Sequence, residues 1–190
     1  LSDGQKKKNN NKLRIGFVSP DFLNHSVSFF FLPILMNYSK NKFEFFCYYN
    51  SAKKDLVTDV IQRNCDNFTY IKGLKDEQIF EKIKKDEINI LVDLCGHWGN
   101  NNLSLFSKRA SPIQVTWIGY PNTTGIKEMD YRFTTNFADP SKNDDQLYTE
   151  KLYRLPKTFL CYKGVDEIAY SQTPPSKFSN KITFGSFNNI

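Results

Sequence analysis

The chain alternates between short hydrophobic runs and longer segments with a different hydrophobic pattern. The short runs are rich in β-branched and aromatic residues and predict strands over 13–18, 43–49, 67–71, 88–94, 113–118, 131–134, 151–155 and 181–187. The segments between them predict helices over 27–36, 55–65, 76–85 and 102–108. Either their length or the three- or four-residue spacing of their hydrophobic residues indicates a helix. Because parallel neighbours need crossover connections, this alternation predicts an α/β fold with a Rossmann-like parallel sheet.

Polar segments suggest where the domain begins and ends. Residues 1–12 (LSDGQKKKNNNK) are a Lys/Asn-rich, low-complexity tract that we expect to be a disordered linker. Residues 13–162 contain the first seven predicted strands and are expected to form one domain. Residues 163–180 are rich in Pro and Ser and indicate a connector, so that 181–190 would begin a second domain.

Composition excludes several classes of protein. A chain of 190 residues with 39% hydrophobic residues can bury a core, which excludes a wholly disordered protein. No run approaches the ~18 apolar residues of a membrane-spanning helix, so no membrane association is expected. Four cysteines without C-x-x-C spacing and two histidines argue against a structural zinc site. Cys47 and Cys95 lie in apolar runs and are expected to be buried, reduced thiols.

Charge gives little support to nucleic-acid binding. The formal net charge is +6, and half of it lies in residues 1–12, which contain four lysines and one aspartate. A nucleic-acid-binding protein would need a basic surface on the folded domain and would bind in a strongly salt-dependent manner. The N-terminus is polar and shows no signal peptide, so the cytoplasm and the nucleus are the expected compartments.

Three loops follow predicted strands at the edge where open parallel sheets bind ligands. They cover 19–26, 95–101 and 119–125. Both histidines of the chain, His25 and His97, lie in the first two of these loops. Histidine is the commonest general base near neutral pH, although a lone loop histidine is more often an ordinary hydrogen-bonded surface residue.

Other loop residues have both a structural and a functional interpretation. Asn24 or Ser26 would cap the helix that follows, or would help present backbone amides to an anion. The third loop, bounded by Gly119 and Gly125, would either approach a ligand closely or form an ordinary turn.

Tryptophans and acidic residues add a few further expectations. Trp117 is expected in the core, and Trp98 at the surface. Asp21 and Asp93 are the acidic residues near strand ends, and Asp76 is a candidate cap for the third helix. The chain contains no G-x-x-x-x-G-K-[ST], no G-x-G-x-x-G after the first strand and no G-x-S-x-G. The residue patterns therefore predict an α/β domain with a histidine-lined crevice, but they do not indicate a substrate.

Five longer blocks are more specific than any of these short motifs. LRIGFVSPDFLNH, ILVDLCGH, PIQVTWIGYPNTTG, DYRFT and ITFGSFNN follow one another and span nearly all of residues 13–190. Together they closely resemble the catalytic region of the O-GlcNAc transferase/SPINDLY family, in the family's order. The VTWIGYPNTTG and FGSFNN blocks are more similar to the SPINDLY branch.

This resemblance implies a protein O-glycosyltransferase that moves a sugar from a nucleotide sugar to Ser/Thr hydroxyls of nuclear and cytoplasmic proteins. It implies a GT-B architecture, two Rossmann-like domains facing each other across a cleft, of which this chain is the N-terminal half. SPINDLY members use GDP-fucose and O-GlcNAc transferases use UDP-GlcNAc, so the resemblance favours GDP-fucose. No catalytic metal and no cofactor are implied.

The resemblance also assigns candidate site residues. His25 matches the family's essential active-site histidine, and His97 matches a second block, in which Trp98 replaces the usual threonine. Both histidines are therefore candidate catalytic residues. The candidate substrate-binding residues are Asp21, Asn24, Ser26, Tyr120, Pro121, Thr123, Thr124, Asn188 and Asn189.

The family's donor-binding lysine and the rest of its nucleotide pocket are expected beyond Ile190, so we expect the 190 residues by themselves to be inactive. A helical-repeat region that presents protein substrates is expected only in a longer parent chain. Two alternatives stay open, a UDP-GlcNAc-dependent enzyme and a non-catalytic scaffold member of the family.

Overall fold

A computed structural model describes residues 12–140, 145–164, 172–179 and 181–186. It contains seven strands, β1 (Leu13–Ser19), β2 (Phe43–Tyr49), β3 (Asn67–Tyr70), β4 (Ile90–Asp93), β5 (Ile113–Thr116), β6 (Tyr131–Thr134) and β7 (Lys151–Arg154). The helices are α1 (Ser26–Asn37), α2 (Leu56–Asn64), α3 (Asp76–Lys85), α4 (Leu103–Phe106) and α5 (Ser176–Ser179), with a 3-10 turn at Asp145–Leu147. None of the described helices is long and apolar enough to cross a membrane.

All seven strands pair in parallel in one sheet of order β3-β2-β1-β4-β5-β6-β7. The predicted α/β class and the predicted order of elements from 13 to 155 are confirmed. The FEFFCYY and ILVD runs are strongly hydrophobic because helices cover both faces of the sheet at β2 and β4.

Alternation along β1 and β2 divides the core into two layers. Phe17, Phe45 and Tyr49 belong to the cluster that includes α1 and α2. Val18 and Tyr48, one position away, belong to the cluster that includes α3 and α4. Successive strand residues point to opposite faces, so one continuous hydrophobic run supplies both layers.

The strand order creates a crevice at the carboxyl end of the sheet. From β1 the chain passes through α1 to β2 on one side, and it returns to β4 on the other side of β1. Connections that leave β1 and β4 in opposite directions open a ligand-binding crevice between them. The loops after β1, β4 and β5 border this position, as expected from the sequence.

Two expectations about local structure are wrong. Residues 181–186 form no strand, because Ile182 and Phe184 are exposed and no neighbouring strand pairs with them. Asp76 does not cap α3, because Lys75 occupies the N-cap position. The backbone N–H of Lys75 donates to the side chain of Gln78 at 2.9 Å.

Other expectations concern single side chains or the ends of the chain. Cys47 and Cys95 are buried, free thiols, and Trp117 is in the core, as predicted. Residues 1–11 of the expected linker and residues 187–190, with Asn188 and Asn189, lie outside the described part of the chain. The short helix α5 forms within the expected connector.

The central strand provides a test of the packing. Leu91 on β4 is 0% exposed, whereas Leu56 at the start of α2 is 82% exposed. We expect Leu91→Ala to lower the free energy of unfolding by about 2–5 kcal/mol, because it leaves a cavity between the sheet and α3. Leu56→Ala should change it by less than about 0.5 kcal/mol. Urea denaturation of both variants checks this, and equal effects would contradict the assigned core.

Candidate active site

Buried hydroxyls fix the first loop, which follows β1. The side chain of Ser19 accepts a hydrogen bond from the backbone N–H of Asp21 at 2.9 Å. Ser28, in the first turn of α1, donates its hydroxyl to the carbonyl of Asp21 at 2.7 Å. Both serines are fully buried, so the backbone of Asp21 is held from two sides.

His25 is the N-cap of α1. Its backbone is extended, and its Nδ1 accepts a hydrogen bond from the backbone N–H of Val27 at 3.2 Å. The expectation that Asn24 or Ser26 caps this helix is therefore wrong. Because Nδ1 accepts, the neutral ring carries its proton on Nε2. The side chain is 44% exposed, and its Nδ1 lies 3.9 Å from Oδ2 of Asp21.

Asp55 connects this loop to α2. Its Oδ1 caps α2 by accepting from the backbone N–H of Thr58 at 3.0 Å, and its Oδ2 accepts from the backbone N–H of Asn24 at 2.7 Å. These hydrogen bonds lower the pKa of the Asp55 carboxyl, and the bond from Thr58 has the larger effect. The D-x-x-T spacing indicates the cap, but no pattern in the sequence indicates the contact with Asn24.

A buried carboxylate fixes the second loop. Asp93, at the end of β4, accepts from the backbone N–H groups of Cys95 at 3.1 Å and Gly96 at 2.9 Å, and from the hydroxyl of Thr116 at 2.9 Å. Burial raises the pKa of the Asp93 carboxyl, and these hydrogen bonds oppose the rise. Gly96 has φ +59°, and a Cβ there would lie 2.2 Å from Cβ of Tyr120, so only glycine fits.

His97 points from this loop toward the third one. Its Nε2 lies 2.9 Å from the carbonyl oxygen of Thr124, and a carbonyl can only accept, so Nε2 donates. The ring also packs edge-to-face on Tyr120, with centroids 5.1 Å apart. His97 is thus occupied in holding two loops together.

Two charged residues that sequence reasoning missed fix the third loop, 119–125. Glu150 is 3% exposed and accepts hydrogen bonds from the backbone N–H of Thr124 at 2.7 Å, from the hydroxyl of Thr123 at 2.8 Å and from the hydroxyl of Thr124. Arg132, also buried, donates to the carbonyl of Tyr120 at 3.0 Å. Glu150 lies directly before β7 without any motif that would mark it, and Arg132 lies in the DYRFT block, to which no role for this side chain was assigned.

The backbone where the third loop begins is strained. Ile118 has φ +53°, which is unusual for a β-branched residue. A Cβ at Gly119 would lie 2.1 Å from the carbonyl oxygen of Leu94, so the chain passes directly against the second loop. Such strain persists where the surroundings determine the backbone and is commonly found at functional sites.

The three loops enclose a cavity of about 450 Å³ at the predicted crevice. It is lined by Asp21, His25, Ser26, Val27, Trp98, Gly99, Ile118, Gly119 and Pro121. Four of the sequence-predicted site residues are therefore together, namely Asp21, His25, Ser26 and Pro121. Another five belong to the same three loops but are not among the lining residues, namely Asn24, His97, Tyr120, Thr123 and Thr124.

The cavity is not suited to a highly charged anion. No lysine or arginine is among its lining residues, and Asp21 contributes a carboxyl group. Burial raises the pKa of that carboxyl, and the neighbouring His25 opposes the rise. Among the described residues, no group of three or more His, Cys, Asp or Glu is arranged so that it could hold a metal ion.

The chain is similar in sequence to a known protein family and to several named proteins. The family model described as glycosyl transferase family 41 matches residues 2–168. The probable UDP-N-acetylglucosamine–peptide N-acetylglucosaminyltransferase SPINDLY of Hordeum vulgare is 41% identical over 182 residues, which cover 94% of this chain and 19% of that protein. The similarly named SEC protein of Arabidopsis thaliana is 30% identical over 188 residues, which cover 94% of this chain and 19% of that protein.

A solved structure has the same fold. A mutant of the Thermobaculum terrenum O-GlcNAc transferase superposes with a TM-score of 0.82 at 34% identity, over 87% of this chain and 32% of that one. The chain thus spans about a fifth of the length of the curated relatives and about a third of this solved chain.

The cap formed by His25 can be separated from any chemical role. We expect His25→Ala to lower the free energy of unfolding by about 1 kcal/mol, because the N–H of Val27 loses its acceptor. His25→Asn should stay within about 0.5 kcal/mol of the wild type, since Asn is among the best N-caps. Urea denaturation measures both, and equal losses would contradict the capping role.

The pH dependence of stability tests the contact of Asp55. Because folding lowers the pKa of this carboxyl from its ordinary value of 3.8, its contribution is present above that pH and is lost as the pH falls through the lower folded value. Asp55→Asn keeps one acceptor for Thr58 but loses the other, so the acid dependence should weaken. Urea denaturation over a pH range of roughly 2 to 6 checks this, because that range lies on both sides of the ordinary pKa of an aspartate. The control is Glu81→Gln on an exposed position of α3, and an unchanged profile in Asp55→Asn would contradict the prediction.

Proposed function

Since the chain belongs to glycosyl transferase family 41, we propose that it forms the N-terminal part of the catalytic region of a protein O-glycosyltransferase. The proposed donor is a nucleotide sugar, and the proposed acceptors are Ser and Thr hydroxyls of nuclear and cytoplasmic proteins. The observation that carries the proposal is the cavity at the crevice of the sheet, in which His25 and Asp21 meet. An open cavity at this edge is where α/β folds bind ligands.

The proposed reaction is a displacement at the anomeric carbon. The bond from this carbon to the diphosphate oxygen breaks, and a bond to the acceptor oxygen forms as the hydroxyl releases its proton to water in the open cavity. The nucleoside diphosphate leaves with the electron pair of the broken bond. Because the cavity has no lysine or arginine, we place the sugar and the acceptor hydroxyl in it, and the diphosphate outside it.

The tautomer of His25 favours an orienting role. While Nδ1 accepts from the N–H of Val27, Nε2 carries the proton and can only donate, for example to an oxygen of the sugar or the acceptor. To accept the hydroxyl proton, Nε2 must be free, and the proton must move to Nδ1, where Asp21 lies 3.9 Å away. That distance is too long for a hydrogen bond, so Asp21 does not accept from a protonated Nδ1 in this arrangement. A protonated Nδ1 also cannot accept from the N–H of Val27, so the ring would have to leave its capping position before His25 could act as a base.

His97 is proposed as a positioning residue, although the sequence resemblance makes it a candidate catalytic residue. Its Nε2 donates to Thr124, and it does not line the cavity. Tyr120, Thr123 and Thr124 are proposed to shape the same wall. The roles predicted for Asn188 and Asn189 in donor binding stay predictions.

GDP-fucose is the proposed donor, on the resemblance of the VTWIGYPNTTG and FGSFNN blocks to the SPINDLY branch. UDP-GlcNAc is the second candidate, because the SPINDLY and SEC relatives carry UDP-N-acetylglucosamine in their names. No cofactor and no metal are proposed for the reaction.

The proposal is tested in the full-length protein that carries this sequence. We expect it to transfer sugar from GDP-fucose or UDP-GlcNAc to Ser/Thr-containing peptides, as measured by the increase in peptide mass. His25→Asn, which keeps the helix cap, should lower the rate about 100-fold, because a displacement of the reacting groups by about 1 Å can cost that much. Phe137→Ala, at an 88% exposed position outside the cavity, is the control and should be unaffected.

Two results would contradict the proposal. Transfer from neither donor would exclude the assigned activity, and near-normal turnover of His25→Asn would exclude the assigned site. Transfer from UDP-GlcNAc alone would replace the proposed donor with the second candidate.

A further inference from the structure

Trp98 is unusual among the hydrophobic residues that the structure describes near the site. The residue is 61% exposed, although it lines the cavity together with His25 and Pro121. Trp117, in contrast, is 4% exposed and packs in the core. A large aromatic ring left in water beside a polar cavity is an unused contact surface.

The loop presents this ring in a fixed position. The carbonyl of Trp98 accepts from the side-chain amide of Asn101 at 2.9 Å. The indole packs edge-to-face on Tyr120, with ring centroids 6.2 Å apart. Asp93 anchors the start of the same loop through the N–H groups of Cys95 and Gly96. A ring that is already positioned loses little conformational entropy when a ligand covers it.

The other groups in the cavity select the chemistry of that ligand. The carboxyl group of Asp21 can accept hydrogen bonds from hydroxyls, and the Nε2–H of His25, whose side chain is 44% exposed, can donate to an ether or hydroxyl oxygen. A carboxyl without a lysine or arginine in the lining disfavours a phosphate. A flat aromatic ring beside hydroxyl-binding groups suits a pyranose, whose C–H face is apolar and whose edge carries hydroxyls.

We propose that Trp98 is a sugar-binding residue whose indole packs on the ring of the transferred sugar. This inference rests on the proposed function and names the part of the donor that the cavity holds. The sugar ring lies between the indole and the groups of His25 and Asp21, while the nucleoside diphosphate makes no contact with Trp98. Trp98 therefore contributes to affinity for the nucleotide sugar and not for the nucleoside diphosphate alone.

The test compares these two ligands by isothermal titration of the full-length protein, with GDP-fucose against GDP and UDP-GlcNAc against UDP. Trp98→Ala should weaken binding of the nucleotide sugar about tenfold and leave binding of the nucleoside diphosphate unchanged. Trp98→Phe retains a flat ring and should stay within about threefold of the wild type. Phe137→Ala, an exposed aromatic residue outside the cavity, is the matched control. Thermal unfolding verifies that each variant is folded.

The outcomes separate this inference from the proposed function. If the wild type transfers sugar and Trp98→Ala binds the nucleotide sugar normally, only the role of Trp98 is wrong. An equal loss for nucleotide sugar and nucleoside diphosphate would also overturn it, as would a higher KM for the acceptor peptide with unchanged donor binding. If the wild type binds neither nucleotide sugar, both this inference and the proposed function are wrong.

Discussion

The site depends on the buried carboxylate of Asp93, where β4 ends between β1 and β5. It accepts hydrogen bonds from two backbone N–H groups of the following loop and from the hydroxyl of Thr116 on β5. Burial opposes the charged form of this carboxyl and raises its pKa, so the three donors are what make a buried acidic group tolerable. They also determine where the second loop turns, and Gly96 permits that turn against Tyr120.

Two other carboxylates also hold loops, but from a distant part of the sequence. Asp55 connects α2 to the loop of His25, and Glu150 holds the hydroxyls and backbone of Thr123 and Thr124. In each case an acidic side chain from one element accepts hydrogen bonds from the backbone of a loop distant in sequence. The cavity walls are thereby fixed by polar contacts around the sheet edge, while the helices and hydrophobic residues stabilise the sheet itself.

The candidate site separates residues that face the cavity from residues that support it. His25 and Trp98 line it, whereas His97 and the two threonines make hydrogen bonds between loops. The two histidines follow β1 and β4 in similar loops, so their sequence contexts did not distinguish these roles. The distinction depends on side-chain direction, since His25 begins a helix and lines the cavity, whereas the ring of His97 donates to Thr124 in the third loop.

Sequence alone determined the α/β class, the order of strands and helices from 13 to 155, and the three loops at the edge of the sheet. These features depend on periodicity and on short-range turn signals, which are local properties of a chain. It did not reveal the pairing of Asn24 with Asp55 or of Thr124 with Glu150, because these partners lie 31 and 26 residues apart. The tertiary structure alone decided them, since only the packing of the crossover connections brings such distant residues within hydrogen-bonding distance.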